Sequence, residues 1–388
     1  MIHFDDTSIA FKSKTNRSLK KAYWLFKLIG IPVLVKIGKP VMNFSLRIKL
    51  PIKKLIKASI FDQFCGGETV NECSDTIDHL GKDGIGTILD YSIEGKTEDV
   101  DFDNTVQEII KTIEKGAHDK NIPFAVFKVT GISRINELLL LSEDITNGTN
   151  ENQSLSAPIE ARILQICQAA YTHQVPVFID AEESWIQPIL DKWCFEMMLQ
   201  FNKQKAIVYN TLQMYRHDRF AFLKEALNIA KEHQIIYGIK LVRGAYMEKE
   251  RERASKMNYP SPIQANKEAT DHDFNAALDF IIENLKDFAL VAGTHNEESS
   301  AYLAAKITEK GLDQKDDKLF FAQLLGMSDH ISYNLSNAGF RVAKYVPYGP
   351  IEEVMPYLLR RADENTSVAG QTSIKLRLNQ IECKRRGI

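Results

Sequence analysis

Eight times between residues 87 and 349 a short apolar run gives way to a longer amphipathic stretch, and this rhythm limits the fold more than any other feature of the chain. The runs are TILDYS (87–92), FAVFKVT (124–130), VPVFIDAEE (175–183), AIVYNTLQMY (206–215), IYGIKLVRGAY (236–246), FALVAGTH (288–295), LFFAQLLG (319–326) and VAKYVPYG (342–349). Each is rich in Val, Ile and Phe, which suits strands covered on both faces. Between them apolar residues recur at helical spacing, as in Phe274, Leu278, Ile281 and Leu285. Eight strand–helix units predict an α/β fold, a (βα)8 TIM-like barrel wrapped by helices; an open, doubly wound sheet is the alternative. Residues 1–75 break the rhythm and read as a helical N-terminal arm, which leaves 76–388 as the barrel with a C-terminal helix closing the site. The polar run at 145–158 reads as a surface loop, because the alternation resumes directly after it.

Composition narrows the function. The 388 residues carry 49 Lys and Arg against 51 Asp and Glu, a net charge of -2, so nothing implies a general affinity for nucleic acid. Five cysteines without a CxxC pair argue against a disulfide framework or a structural zinc, and suit a reducing compartment. HExxH is missing, and the glycines at 81, 84 and 86 precede their strand in the wrong order for GxGxxG, so neither a metalloprotease nor a dinucleotide fold is indicated. The stretch 22–38 is strongly apolar but is interrupted by Lys27, Pro32 and Lys36. It is too broken for a membrane span and reads either as a helix packed on the domain or as an anchor lying in a lipid interface.

In such a barrel the reactive groups gather at the C-terminal ends of the strands. Those ends carry Lys128, then Asp180 with Glu182 and Glu183, then Gln213, Lys240 with Arg243 and Tyr246, Thr294 with His295 and Asn296, Gln323, and Tyr345. Beyond the last strand, Arg360 and Arg361 lie on an expected helix one turn before Glu364. Their planar forks match a carboxylate, and Glu364 is spaced to balance them. Taken alone, that trio also fits a solvated helix face.

KLVRGAY, GTHN, FIDAEE and YLLRRADENTS, in that company and at those spacings, resemble the proline dehydrogenase family from about Ile60 to the C-terminus. The resemblance implies a distorted (βα)8 barrel that holds FAD non-covalently and oxidises L-proline to 1-pyrroline-5-carboxylate. Bacterial relatives fuse this barrel to an aldehyde dehydrogenase; 388 residues leave no room for one, so a monofunctional enzyme is expected. By similarity, Lys128, Arg360 and Arg361 bind the proline carboxylate, Tyr246, Leu324 and Tyr345 wall the ring, and Asp180 and Glu364 orient these groups. The cofactor set is Gln213, Lys240, Arg243 and Gly244 for flavin tuning, with Thr294, His295 and Asn296 towards the ribityl and phosphate parts. Some relatives read RLVKGAY where this chain reads KLVRGAY, so either Lys240 or Arg243 is the cation facing the flavin. In LDYSIEGK, Glu94 matches an acid expected to pair with Arg360 until substrate arrives.

The resemblance further implies electrons passed to a membrane quinone, and therefore a cytoplasmic enzyme peripheral to the inner face of the membrane, or a mitochondrial one in a eukaryote. Two rivals stand beside this reading. A hydroxyproline dehydrogenase is disfavoured by the bulk of Tyr345, and a flavin- or amino-acid-binding sensor by the full set of polar groups.

Overall fold

The computed structural model describes residues 2–29, 57–93, 95–367 and 371–388, with the backbone alone for 28, 29, 58, 361–367 and 371–373. Ahead of the barrel lie α1 (Thr7–Ala10), α2 (Asn16–Ile29), a π turn (Lys57–Phe61), α3 (Asp62–Phe64) and α4 (Ser74–Gly81). The barrel follows as β1 (Ile85–Tyr91), α5 (Asp99–His118), β2 (Phe124–Phe127), α6 (Ile135–Asn147), α7 (Ser156–His173), β3 (Val177–Ile179), α8 (Gln187–Phe201), β4 (Val208–Gln213) and α9 (Arg219–His233). It continues with β5 (Tyr237–Val242), α10 (Met247–Met257), α11 (Lys267–Glu283), β6 (Phe288–Gly293), α12 (Glu297–Glu309), β7 (Leu319–Leu324), α13 (Asp329–Asn337) and β8 (Val342–Tyr348). Two helices, α14 (Ile351–Ser367) and α15 (Gln371–Arg385), end the chain. All eight strands pair in parallel and β8 returns to β1, with Tyr345 opposite Ile88, so the sheet closes.

Strand alternation divides the apolar residues into two cores. Ile88, Phe124, Phe178, Tyr209, Val291, Phe320 and Ala343 fill the lumen, where Phe124 stacks on Phe178 with centroids 4.6 Å apart. Their sequence neighbours, such as Leu89, Ala125, Ile179 and Val208, point outward beneath the helices. Period two in the strands and near-complete burial on both faces are thus one observation.

Two expected strands are shorter than their apolar runs. The run at 124–130 stops pairing at Phe127 because Val129–Gly131 turns into a 3-10 helix whose Thr130 N–H donates to Glu182 over 3.0 Å. The run at 175–183 pairs only over Val177–Ile179, since Pro176 has no N–H to give. The loop expected at 145–158 is also shorter: α6 reaches Asn147, ends on Gly148 in the left-handed region, and α7 starts at Ser156.

The arm is clamped between the last two helices. Leu19 packs with Phe11 and Leu378, while Phe26 joins Phe61, Phe64, Val354 and Leu358. Burying one Phe side chain contributes roughly 1.5–3 kcal/mol, so Phe26 alone ties α2 firmly to α14. Residues 22–29 of the apolar stretch are therefore a packed helix; 30–38 lie outside the described residues. Trp24, on the opposite face of α2, is 57% exposed. No described helix is long and apolar enough to cross a membrane.

Candidate active site

The lumen-facing positions become polar in the uppermost layer. Continuing the inward alternation past Ile88, Val126, Phe178 and Gly238 reaches Asp90, Lys128, Asp180 and Lys240, so two acids and two lysines ring the mouth. Lys240, only 5% exposed, forms an ion pair with Asp180 and donates to the Tyr345 hydroxyl over 2.6 Å. Its ammonium also lies over the Tyr345 and Phe178 rings, 4.7 and 5.5 Å from their centroids. Phe178 stacks beneath Tyr345 at 16°, fixing the phenol plane. Burial lowers the proton affinity of Lys240, against the pull of Asp180, and burial likewise pushes the Tyr345 hydroxyl well above its usual range. The hydroxyl thus stays a neutral donor and acceptor.

Lys128 is half-buried at the end of β2, and its charge is felt by both Glu182 and Lys240. Glu182 is buried beside it and accepts from the Thr130 hydroxyl as well as the amide. Burial nonetheless raises its carboxyl to about 7. Leu324 faces Tyr345 across the β7–β8 pairing and packs both into the lumen and against the α14 cluster, so α14 rests on the mouth through it. Tyr246 precedes α10, with the Lys249 ammonium 5.7 Å above its ring.

The two cations of KLVRGAY point in opposite directions. Lys240 faces the lumen; Arg243, three residues on, turns towards the helices and is held by Asp271 at 2.7 Å, Thr294 at 2.7 Å and Ser299 at 2.9 Å. Lys240, which sequence similarity puts with the flavin set, also meets Asp180 and Tyr345. Gln213 spans Glu182 and Ala245 through its amide, bracing the segment after β3 against the loop at Gly244. Only glycine fits there: its φ is +136° and a Cβ would come within 2.5 Å of the Tyr215 ring. Thr294 accepts from Arg243 and from the Asn296 amide, Asn296 caps α12, and His295 Nδ1 lies 2.9 Å from the Ser328 hydroxyl.

Arg360 is exposed on α14, two residues beyond the fully buried Leu358. Arg361 and Glu364 continue the same helix, but their side chains lie outside the described residues, as does Glu94. Two residues after Glu94, Lys96 pairs with Glu353 at 3.1 Å, so the loop after β1 reaches α14. Asp90 was missed in the sequence, although it ends a strand in the inward phase; it is 6% exposed and accepts from Ser92 over 2.8 Å. All five cysteines are free, and no metal-holding cluster occurs among the described residues.

Comparison with known proteins bears on the family and the fold. Residues 73–374 match the family described as proline dehydrogenase. "Proline dehydrogenase 1, mitochondrial" of Dictyostelium discoideum is 31% identical over 95% of this chain and 72% of its own, and hydroxyproline dehydrogenase of Xenopus laevis 30% identical over 99% and 90%. Among solved structures, proline utilization A (PutA) of Bdellovibrio bacteriovorus superposes with a TM-score of 0.75 at 18% identity, covering 95% of this chain and 39% of that one, a likeness of fold. A match over most of the barrel, with relatives aligned along nearly the whole of this chain, places it in the proline dehydrogenase family.

Proposed function

We propose that the protein oxidises L-proline to 1-pyrroline-5-carboxylate with FAD as first electron acceptor and a quinone as the second. Proline dehydrogenase activity and dependence on a flavin come with membership of the family. The observation that carries the site assignment is Lys240 bridging Asp180 and Tyr345 inside the mouth.

Proline offers a carboxylate, a secondary amine and an apolar ring. The barrel's own ring of charges balances, Asp90 and Asp180 against Lys128 and Lys240, so the pull on an anion comes from Arg360 and Arg361 once Glu94 gives way. Lys128 and the arginines hold the carboxylate; Tyr345, Leu324 and Tyr246 wall the ring and exclude water. Asp180 acts through Lys240, which fixes the Tyr345 phenol. Glu94 is the resting partner of Arg360, and Glu364 orients the arginine pair when substrate replaces that partner.

The residues present fit FAD. Arg243 is braced at the edge of the mouth with His295 and the start of α12 beside it, and a guanidinium is a group that suits a pyrophosphate. Gly244 lets backbone pass where a side chain could not, and Gln213 holds that loop in place. When bound, the flavin supplies the hydride acceptor. The chain's part would be to hold the proline ring against it and to accept the neutral amine, the only form that can release electrons to the ring carbon.

A second reading, hydroxyproline oxidation, has the Xenopus relative in its favour. Tyr345, 8% exposed with its hydroxyl taken by Lys240, leaves no polar space beside the ring for another hydroxyl. Dye reduction by L-proline, 4-hydroxyproline and pyrrolidine tests both points: the account requires proline to be preferred and pyrrolidine, lacking the carboxylate, to be poor. Equal turnover of proline and pyrrolidine would remove the carboxylate clamp.

A further inference from the structure

Away from the mouth, four charged side chains from distant parts of the sequence meet beneath the last helix. Lys344 on the outer face of β8 is 1% exposed, lies 2.7 Å from Asp329 and also donates to the Met327 carbonyl over 2.6 Å. That pair is closed on itself. Lys14, between α1 and α2, stands 3.8 Å from the other Asp329 oxygen. Lys375 of α15 is 8% exposed; its ammonium donates to the Gly326 carbonyl over 2.7 Å and lies 4.7 Å from the Phe26 ring centre. Lys344 thus takes one Asp329 oxygen and Lys14, 27% exposed, stands at the other, while Lys375 has no carboxylate of its own among the described residues, and a buried charge without a partner is costly.

Lys14, Lys375, Asp329 and Asn379 line a cavity of about 20 Å³ between α2, α15 and the turn after β7. That is room for one water-sized guest. Its remaining wall is mostly apolar, with Phe11 and Phe26 prominent. Asn379 is 3% exposed, and its Oδ1 has no hydrogen-bond partner among the described residues. Turned by half a rotation, the same amide presents its NH2 to the cavity instead.

We propose that this cavity is a binding site for a small monovalent anion of halide size, held by Lys375, Lys14 and the Asn379 amide. The guest neutralises the excess positive charge and bolts the arm and the last helix to the turn below Leu324. Apolar walls favour a weakly hydrated ion such as chloride or bromide over a strongly hydrated one.

The rival way to shed the excess charge is for Lys375 to lose its proton. Burial lowers its proton affinity to about 7, Asp329 opposing the shift and Lys344 and Lys14 adding to it. Because this folded-state value lies below the ordinary lysine range, the protonated form weakens the fold. That penalty is full below pH 7 and fades as pH rises towards the unfolded value. A bound anion restores the proton affinity and removes the slope.

The test is melting of the flavin-loaded, full-length protein in chloride or gluconate at equal ionic strength, from pH 6 to 9. Chloride about tenfold above its dissociation constant raises Tm on the order of 2 °C, and the rise of stability above pH 7 appears in gluconate alone. Lys375→Met and the cavity-filling Asn379→Leu each abolish the difference between the salts, so failure of one variant to fold leaves the other. Bromide-soaked crystals show an anomalous peak between Lys14 and Lys375. Equal melting in both salts, with the pH slope in both, overturns the site in favour of deprotonation or a water. A chloride effect that survives both substitutions overturns it too.

Discussion

Lys240 and Tyr345, on strands three apart around the barrel, are joined across the mouth: the lysine ammonium donates to the tyrosine hydroxyl over 2.6 Å and lies 4.7 Å from the centre of its ring. A phenol held in this way is a fixed wall. Replacing Tyr345 by Ser opens space beside the substrate ring and supplies a second hydroxyl. The ratio of kcat/KM for 4-hydroxyproline to that for proline should rise about tenfold or more, the scale of one polar contact in a specificity pocket. A ratio that does not move places Tyr345 away from the ring.

Arg361→Met should leave the flavin content and melting temperature near wild type, because Met and Arg favour a helix about equally. Hydrogen bonds to a charged group are worth roughly 1.5–3 kcal/mol each, so kcat/KM for proline should drop at least about tenfold. Steady-state kinetics beside a thermal melt separate the two effects; unchanged kinetics would mean that α14 does not close over the carboxylate.

Glu182 predicts a pH dependence of stability. Its folded-state proton affinity is raised to about 7 by burial, above that of an exposed carboxyl. The folded state therefore binds the proton more tightly, and this contribution, present at acid pH, is lost as pH rises through 7. The shift is worth roughly 3 kcal/mol. Urea unfolding between pH 5 and 8 should show stability falling across that window in the wild type and a flatter profile in Glu182→Gln. Parallel profiles would assign the slope to other groups.

The strand pattern, the closed barrel and most of the polar mouth were legible in the sequence because they follow from period two and from strand ends. Lys128, Asp180, Lys240 and Tyr345 are all inward positions one layer above apolar ones. The opposite aims of Lys240 and Arg243 follow from the same alternation, since three residues reverse the face. The shortened strands were hidden: Thr130 leaves β2 because Glu182, 52 residues later, binds it. The Asp329, Lys344 and Lys375 cluster was hidden for the same reason, as Lys375 joins the other two only once α15 folds back onto the barrel.

The packing of α2 sharpens what its apolar stretch can do. Leu19 and Phe26 are buried, while Trp24 stands out with the Lys27 ammonium 4.8 Å over its ring. Aromatic residues beside lysines suit an anionic lipid interface. Trp24→Ser should weaken sedimentation with anionic vesicles at low salt and slow turnover with a long-chain quinone, leaving turnover with a soluble dye intact. A uniform loss with every acceptor would mark the helix as purely structural.

The central claim, that proline gives up its electrons to a flavin at this mouth, is tested most directly by the visible spectrum of the purified protein without oxygen. L-Proline should bleach the flavin band near about 450 nm, and Lys240→Met, which releases both Asp180 and Tyr345, should slow that bleaching. A protein that takes up FAD but keeps its full absorbance in saturating proline would contradict the account.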